Sequence, residues 1–256
     1  MVSACRSVRV ACEKKSMELL RTTTGRMLVE AHRGCQALAP ENSWPALEIG
    51  RHMGADLLEV DVQLSHDGTA FLRHNYTLPD GRWCHAVPWA ELQTLTVQGH
   101  PFPVLEDVLI WARGVDALLS LDLKSGFAPE GRVHAEVVRL LKRTQTCNRV
   151  MLLAWDHVEL RHTKSAYPEV TTRALVRARP ADLRGMLCAV GADAVSLSYD
   201  VVRPQDVEQA HAVGVAVALV EMWRPDFDLA QRLGVDIVSW GNPQEAKQRL
   251  GYAVSS

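Results

Sequence analysis

The sequence predicts an α/β chain folded as a (β/α)8 barrel with a short insertion after the hairpin of its second strand. Three observations carry that expectation. Short apolar runs of strand length recur along the chain at residues 117–123, 150–154, 171–176, 192–197, 215–220 and 235–240, and two earlier ones begin near Leu28 and Leu57. The segments between them, such as 131–143 and 204–213, place apolar residues at helical spacing, as in Val133, Val137, Val138 and Leu141. Eight buried strands alternating with amphipathic helices fit a parallel barrel, whose active site lies at the carboxyl ends of its strands. A doubly wound open sheet is the runner-up, but the first strand is not followed by the Gly-rich phosphate loop that fold would need.

Composition agrees with one soluble globular domain. The chain has 256 residues, 47% hydrophobic and 23% charged, with a formal net charge of −2. Such a charge gives no electrostatic case for nucleic acid or an anionic membrane surface. No window reaches the ~18 to 20 consecutive apolar residues of a membrane span. Residues 1–26 are basic and Ser/Thr-rich without a secretory apolar core, and read as a poorly ordered extension before a domain over 27–256. Six cysteines are scattered without C-x-x-C spacing, which points to a reducing, cytoplasmic setting rather than a zinc site or disulfide scaffold.

Taken in order, the first strand ends at His32-Arg33-Gly34, at the carboxyl edge of the sheet. Ser43-Trp44-Pro45 then opens a helix, with Ser43 as N-cap and Pro45 in the first turn, and Gly54 closes the unit. The second strand carries Glu59 and Asp61, which share one face because residues two apart in a strand point the same way. Asp67-Gly68 is a two-residue hairpin signal, and a type I′ turn there would set His74 directly opposite Asp61. Residues 75–117 show no clear strand of their own and read as a small cap over the mouth. Asp122-Leu123-Lys124 repeats the two-apart arrangement at the end of the third strand, with an acid and a base on one face.

These residues collect at one end of the predicted barrel. Three carboxylates, Glu59, Asp61 and Asp122, suit a hard divalent cation such as Mg²⁺ or Ca²⁺. His32 and His74 suit general acid and base work near neutral pH, and Arg33 and Lys124 offer positive charge to an anion. Trp155 and Trp240, at carboxyl ends of strands, are candidates for lining the substrate pocket. Together they specify phosphoryl chemistry. Cys35, beside the first catalytic turn, has no base within reach by sequence.

His32-Arg33-Gly34, Pro40-Glu41-Asn42-Ser43, Gly54-Ala55-Asp56, Glu59-Val60-Asp61-Val62-Gln63, Asp67-Gly68 and His74 stand in the order and approximate spacing of a known family, continued at Leu105-Glu106-Asp107-Val108 and Leu121-Asp122-Leu123-Lys124. In these motifs the chain resembles the glycerophosphodiester phosphodiesterases. The resemblance is dense from His32 to His74 and thin beyond Trp155. It implies a barrel enzyme that hydrolyses small phosphodiesters with a divalent metal, His32 and His74 being the catalytic pair. Glu59, Asp61 and Asp122 would be metal ligands, and Arg33 and Lys124 would hold the phosphate. Asp122 stands where the family usually has Glu. Asn75 replaces an Asp, an Arg-Thr pair is missing from the cap, and the usual C-terminal Trp-Thr and Thr-Asp-x-Pro motifs are Leu219-Val220-Glu221 and Ser239-Trp240-Gly241-Asn242-Pro243. The resemblance therefore implies a small-molecule phosphodiester as partner, a glycerol or sugar diester, with the leaving alcohol recognised differently. Two alternatives stay open from sequence: a phospholipid lyase of the sphingomyelinase D type, and a non-catalytic barrel binding a phosphorylated ligand. Oligomeric state is open, a homodimer included.

Overall fold

The computed structural model describes residues 17–220 and 226–253. Eight strands form the barrel: β1 (Leu28–Ala31), β2 (Leu57–Leu64), β3 (Leu119–Leu123), β4 (Val150–Ala154), β5 (Thr171–Val176), β6 (Ala194–Ser198), β7 (Ala216–Val220) and β8 (Ile237–Trp240). Each is parallel to the next, and β1 pairs with both β8 and β2, so the sheet closes. A helix follows each strand: α1 (Trp44–His52), α2 (Leu105–Gly114), α3 (Arg132–Thr144), α4 (His157–Ala166), α5 (Leu183–Val190), α6 (Pro204–His211), α7 (Phe227–Leu233) and α8 (Pro243–Arg249). This is the (β/α)8 barrel expected from the alternation of apolar runs. No helix among the described residues is long and apolar enough to cross a membrane.

Strand alternation divides each strand between two cores. Outward residues such as Val60, Val62, Leu121 and Leu152 pack against the helices, α2 and α3 in particular. Inward residues stack in layers along the barrel axis. Leu57, Met151, Ala216 and Ile237 make an apolar floor. Above them lies a polar layer in which Arg173 of β5 donates two hydrogen bonds of 2.9 Å to Glu30 of β1, both side chains being fully buried. The site residues form the top layer.

Of the extension, residues 17–26 pack beneath the floor. Leu19 is buried against the floor residues, and the Arg21 backbone N–H donates to Asp236 Oδ1 at 2.7 Å. Residues 1–16 lie outside the described residues. Asp56, from the Gly54-Ala55-Asp56 motif, also serves this end: it accepts from the Val29 N–H and pairs with Arg26.

The hairpin differs from its expected register by one residue. Val62 faces Leu72, Gln63 faces Phe71 and Leu64 faces Ala70, so the loop holds three residues, His66, Asp67 and Gly68. Gly68 has φ +94°, and the Asp67 carboxylate is used to accept from Ser65 Oγ and from the Trp89 N–H. In this register Arg73, not His74, comes opposite Asp61, and the Arg73 N–H donates to the Asp61 carbonyl. A one-residue shift turns a strand over. His74 reaches the mouth because the return strand ends at Leu72 and the chain bends after it.

The insertion is also shorter than 75–117. Its own apolar nucleus comprises Phe71, Leu78, Cys84, Val87, Leu92 and Phe102. From Leu105 onward the chain is the second helix of the barrel ring, with Leu105, Val108, Leu109 and Ala112 in the outer core.

Candidate active site

The mouth is built from the ends of β1, β2 and β3 and from the bend after the hairpin. α1 starts where the sequence predicts, with Ser43 Oγ accepting from the Ala46 N–H and Pro45 in the first turn. It lies so close to the first loop that a Cβ on Gly50 would stand 2.1 Å from the Gly34 carbonyl oxygen. That approach pins the turn carrying His32 and Arg33. The His32 N–H donates to the Trp240 carbonyl, and the Gly34 N–H donates to the Glu59 carbonyl at 2.7 Å.

Arg33 adopts φ 51°, a left-handed conformation that costs roughly 1–2 kcal/mol for a side-chain-bearing residue. Its contacts hold it there. The backbone N–H donates to Glu59 Oε2 at 2.8 Å, the guanidinium bonds Glu41 Oε2, and Nε lies 3.6 Å from Asp61 Oδ2. Asn42, at φ 56°, is the neighbouring clamp: Nδ2 donates to Asp61 Oδ2 at 2.8 Å and Oδ1 accepts from the Asp61 N–H at 2.9 Å.

Glu59, Asp61 and Asp122 are buried, and one carboxylate oxygen from each lies within 4.8 Å of the others. Lys124 sits between two of them, with Nζ 2.8 Å from Asp61 Oδ1 and 2.5 Å from Asp122 Oδ2. Asp122 Oδ1 is buried without a hydrogen-bond partner. His32 Nε2 is 3.8 Å from Glu59 Oε2, and its Nδ1 faces Gln36 Nε2 at 2.8 Å. His74 Nδ1 faces Asn75 Oδ1 at 3.0 Å.

The electrostatics follow from crowding. Burial, followed by the charges of Asp61, Glu30 and Asp122, pushes the Glu59 carboxyl well above the usual carboxylate range. Burial also raises Asp122, against the pull of Lys124. Asp61 is equally buried, but Lys124, His74 and Arg33 outweigh that and hold it low. Lys124 is desolvated yet kept charged by the two aspartates. Desolvation and the adjoining Arg33 hold His32 below the ordinary histidine range. Three carboxylates thus face two fixed cations, and an unused buried oxygen remains on Asp122. A hard divalent cation fits that donor set.

Of the residues expected from sequence, His32, Arg33, Glu59, Asp61, His74, Asp122 and Lys124 are brought together. Trp155 follows β4 on the inward phase and is 45% exposed at the mouth. Trp240 is not at the mouth. It points outward, since Ile237 and Ser239 take the inward positions; it stacks edge-on with Phe227 and its Nε1 donates to Glu245. Burial pushes the Cys35 thiol up to about 11, which removes it as a nucleophile. Glu41, Asn42, Glu30 and Arg173 join the site or the layer beneath it in the fold. The Pro-Glu-Asn run before the Ser43 cap signals the first two, whereas nothing local marks the Glu30–Arg173 pair.

The chain is similar to known proteins in sequence and in fold. A model of the glycerophosphoryl diester phosphodiesterase family matches residues 32–244. Uncharacterized protein YqiK of Bacillus subtilis is 33% identical over 142 residues, 51% of this chain and 58% of that protein, so the match spans little more than half of the relative's length. A glycerophosphodiester phosphodiesterase from Caldanaerobacter subterraneus is 25% identical over 230 residues, covering 85% of this chain and 95% of the relative. Among solved structures, an Oleispira antarctica phosphodiesterase in complex with the product sn-glycerol-3-phosphate superposes with a TM-score of 0.81 at 24% identity, over 90% of this chain and 98% of that one. With more than half its length matched by the family model and its site residues converging at the barrel mouth, the chain belongs to the glycerophosphoryl diester phosphodiesterase family.

Proposed function

We propose that this phosphodiesterase hydrolyses a small glycerophosphodiester to a phosphomonoester and an alcohol, with a divalent metal on Glu59, Asp61 and Asp122 and with His32 and His74 as the proton-transfer pair. The observation that carries the proposal is the cluster of three buried carboxylates within 4.8 Å, ringed by two histidines and two fixed cations. A divalent ion would offset the repulsion among these carboxylates, which adds to burial in raising Glu59.

When bound, Mg²⁺ or Ca²⁺ supplies Lewis-acid charge for the phosphoryl oxygens. Arg33, its backbone fixed by Glu59 and its guanidinium by Glu41, presents positive charge to the diester from the first loop. Lys124 presents it from the third strand. Both stabilise the additional negative charge that develops as the nucleophile's oxygen bonds to phosphorus. One histidine takes the proton of that nucleophile, a water molecule. The other protonates the alkoxide as the bond from phosphorus to the leaving oxygen breaks. Each transfer is worth ~10²- to 10⁴-fold in rate. Asn42 keeps the Asp61 carboxylate aimed, leaving His32 and Arg33 to act on the substrate.

The test is turnover by the purified chain of glycerophosphocholine, glycerophosphoethanolamine, sugar phosphodiesters and lysophospholipids, with Mg²⁺, Ca²⁺, Mn²⁺ or EDTA. Release of a phosphomonoester with metal and its loss in EDTA are expected. Turnover of none of them with any metal would remove the catalytic reading.

A further inference from the structure

The mouth also carries a feature that diester hydrolysis does not require. Tyr76, Trp83 and Phe127 form a cluster of rings, with Trp83 and Phe127 centroids 4.5 Å apart and tilted by 35°, and Tyr76 meeting Phe127 edge-on at 4.8 Å. Two of these rings remain open to solvent: Phe127 is 53% exposed and Trp83 39%. Exposed neighbouring aromatics beside a catalytic mouth are more informative than scattered ones.

The chain places them on one side of the site. Tyr76 lies two residues beyond His74, and Trp83 is folded back onto that segment through a bridge to Thr77. Phe127 lies three residues beyond Lys124, in the loop after β3, where a Cβ on Gly126 would stand 3.6 Å from the Tyr76 hydroxyl. The rings therefore join the two segments that leave the catalytic histidine and the phosphate-facing lysine. The Tyr76 phenol is half-buried and feels the charges of Lys124, Asp122 and Asp61.

We propose that Tyr76, Trp83 and Phe127 form the leaving-alcohol subsite and select an alcohol bearing a quaternary ammonium, as in a choline diester. The proposal rests on the phosphodiesterase reading above. A diester anchored at Arg33 and Lys124 that extends its leaving alcohol past His74 or Lys124 carries it toward the solvent-open sides of Trp83 and Phe127. Such faces attract a methylated cation, which carries little hydration to lose. The Phe127 ring offers no hydrogen-bond acceptor for a primary ammonium and no donor for a polyol, and the Tyr76 hydroxyl lies against Gly126.

The experiment compares kcat/KM for glycerophosphocholine, glycerophosphoethanolamine and glycerophosphoglycerol in the wild type, Trp83→Ala, Phe127→Ala and Trp83→Phe. We expect the wild type to prefer the choline diester. Its preference over the glycerol diester should fall by about 3- to 30-fold in each alanine variant and recover partly in Trp83→Phe. An equal fall for all three substrates, or an unchanged preference, overturns the subsite. Calorimetric binding of the choline and glycerol diesters to His32→Ala, with and without Trp83→Ala, separates this inference from the hydrolytic one. Tighter choline binding that is lost with Trp83 supports the subsite even where turnover fails, and equal binding of both diesters refutes it.

Discussion

Replacing Asn42 by alanine tests how Asp61, a proposed metal ligand, is held. The side chain makes two buried hydrogen bonds to Asp61, donating to the carboxylate at 2.8 Å and accepting from the backbone N–H at 2.9 Å. Losing a bond to a charged acceptor costs about 1.5–3 kcal/mol, and an orphaned buried N–H costs about 1–3 kcal/mol. Asn42 also sits at φ 56°, where asparagine is tolerated and alanine adds about 1 kcal/mol of strain. We expect Asn42→Ala to lose about 3.5–7 kcal/mol. At roughly 2–4 °C per kcal/mol for a domain of this size, Tm falls by about 7–28 °C. Asn42→Gly, free of the backbone strain, should recover only the smaller part. Thermal unfolding followed by circular dichroism reads the stability, and metal titration of each variant reads the site. A Tm within 2 °C of the wild type, with unchanged metal affinity, would refute the assignment of Asn42 as the residue that positions Asp61.

Three other outcomes follow from the same structure. Arg173→Met should destabilise the fold by about 3–5 kcal/mol by leaving Glu30 charged and unpaired in the barrel, and the double variant with Glu30→Met should regain most of it in denaturant melts; equal losses in single and double variants would contradict the pairing. Gly50→Ala puts a methyl 2.1 Å from the Gly34 carbonyl, so the turn bearing His32 must shift and kcat should fall at least tenfold; a wild-type rate would show that the close approach is not needed. Because Glu59 is raised well above the ordinary range, between its unfolded and folded values the metal-free fold binds a proton there that the unfolded chain has released. The stability it contributes is greatest below the unfolded value and is lost as pH rises through the folded one. Metal binding should expel that proton, so affinity should rise with pH, and calorimetry in two buffers of different ionisation enthalpy should detect the release; no proton release would contradict a protonated Glu59.

The barrel was legible because its strands are buried on both faces and read as apolar runs, while its helices alternate at helical spacing. The expected runs at 150–154 and 171–176 coincide with β4 and β5. The carboxylates were legible for a related reason: two-apart spacing in a strand places Glu59 with Asp61, and Asp122 with Lys124, on one face without long-range information. What failed depended on one residue of register or on distant pairing. Asp67-Gly68 suits both a two-residue loop and the three-residue loop found, where Gly68 is left-handed and the Asp67 carboxylate accepts from Ser65 and from the Trp89 N–H. Trp240 was misplaced because a carboxyl end does not by itself fix which side of the strand a residue occupies. The Glu30–Arg173 pair joins residues 143 apart in sequence, which no local pattern can reveal.

His32 and His74 are the proposed proton-transfer pair, beside a metal held by Glu59, Asp61 and Asp122. The most direct measurement is the metal-saturated rate of sn-glycerol-3-phosphate release from glycerophosphocholine by His32→Ala and His74→Ala, each checked for metal binding by calorimetry. We predict that each variant binds the metal and loses at least ~100-fold in kcat. Either variant retaining a substantial fraction of the wild-type rate would contradict the account.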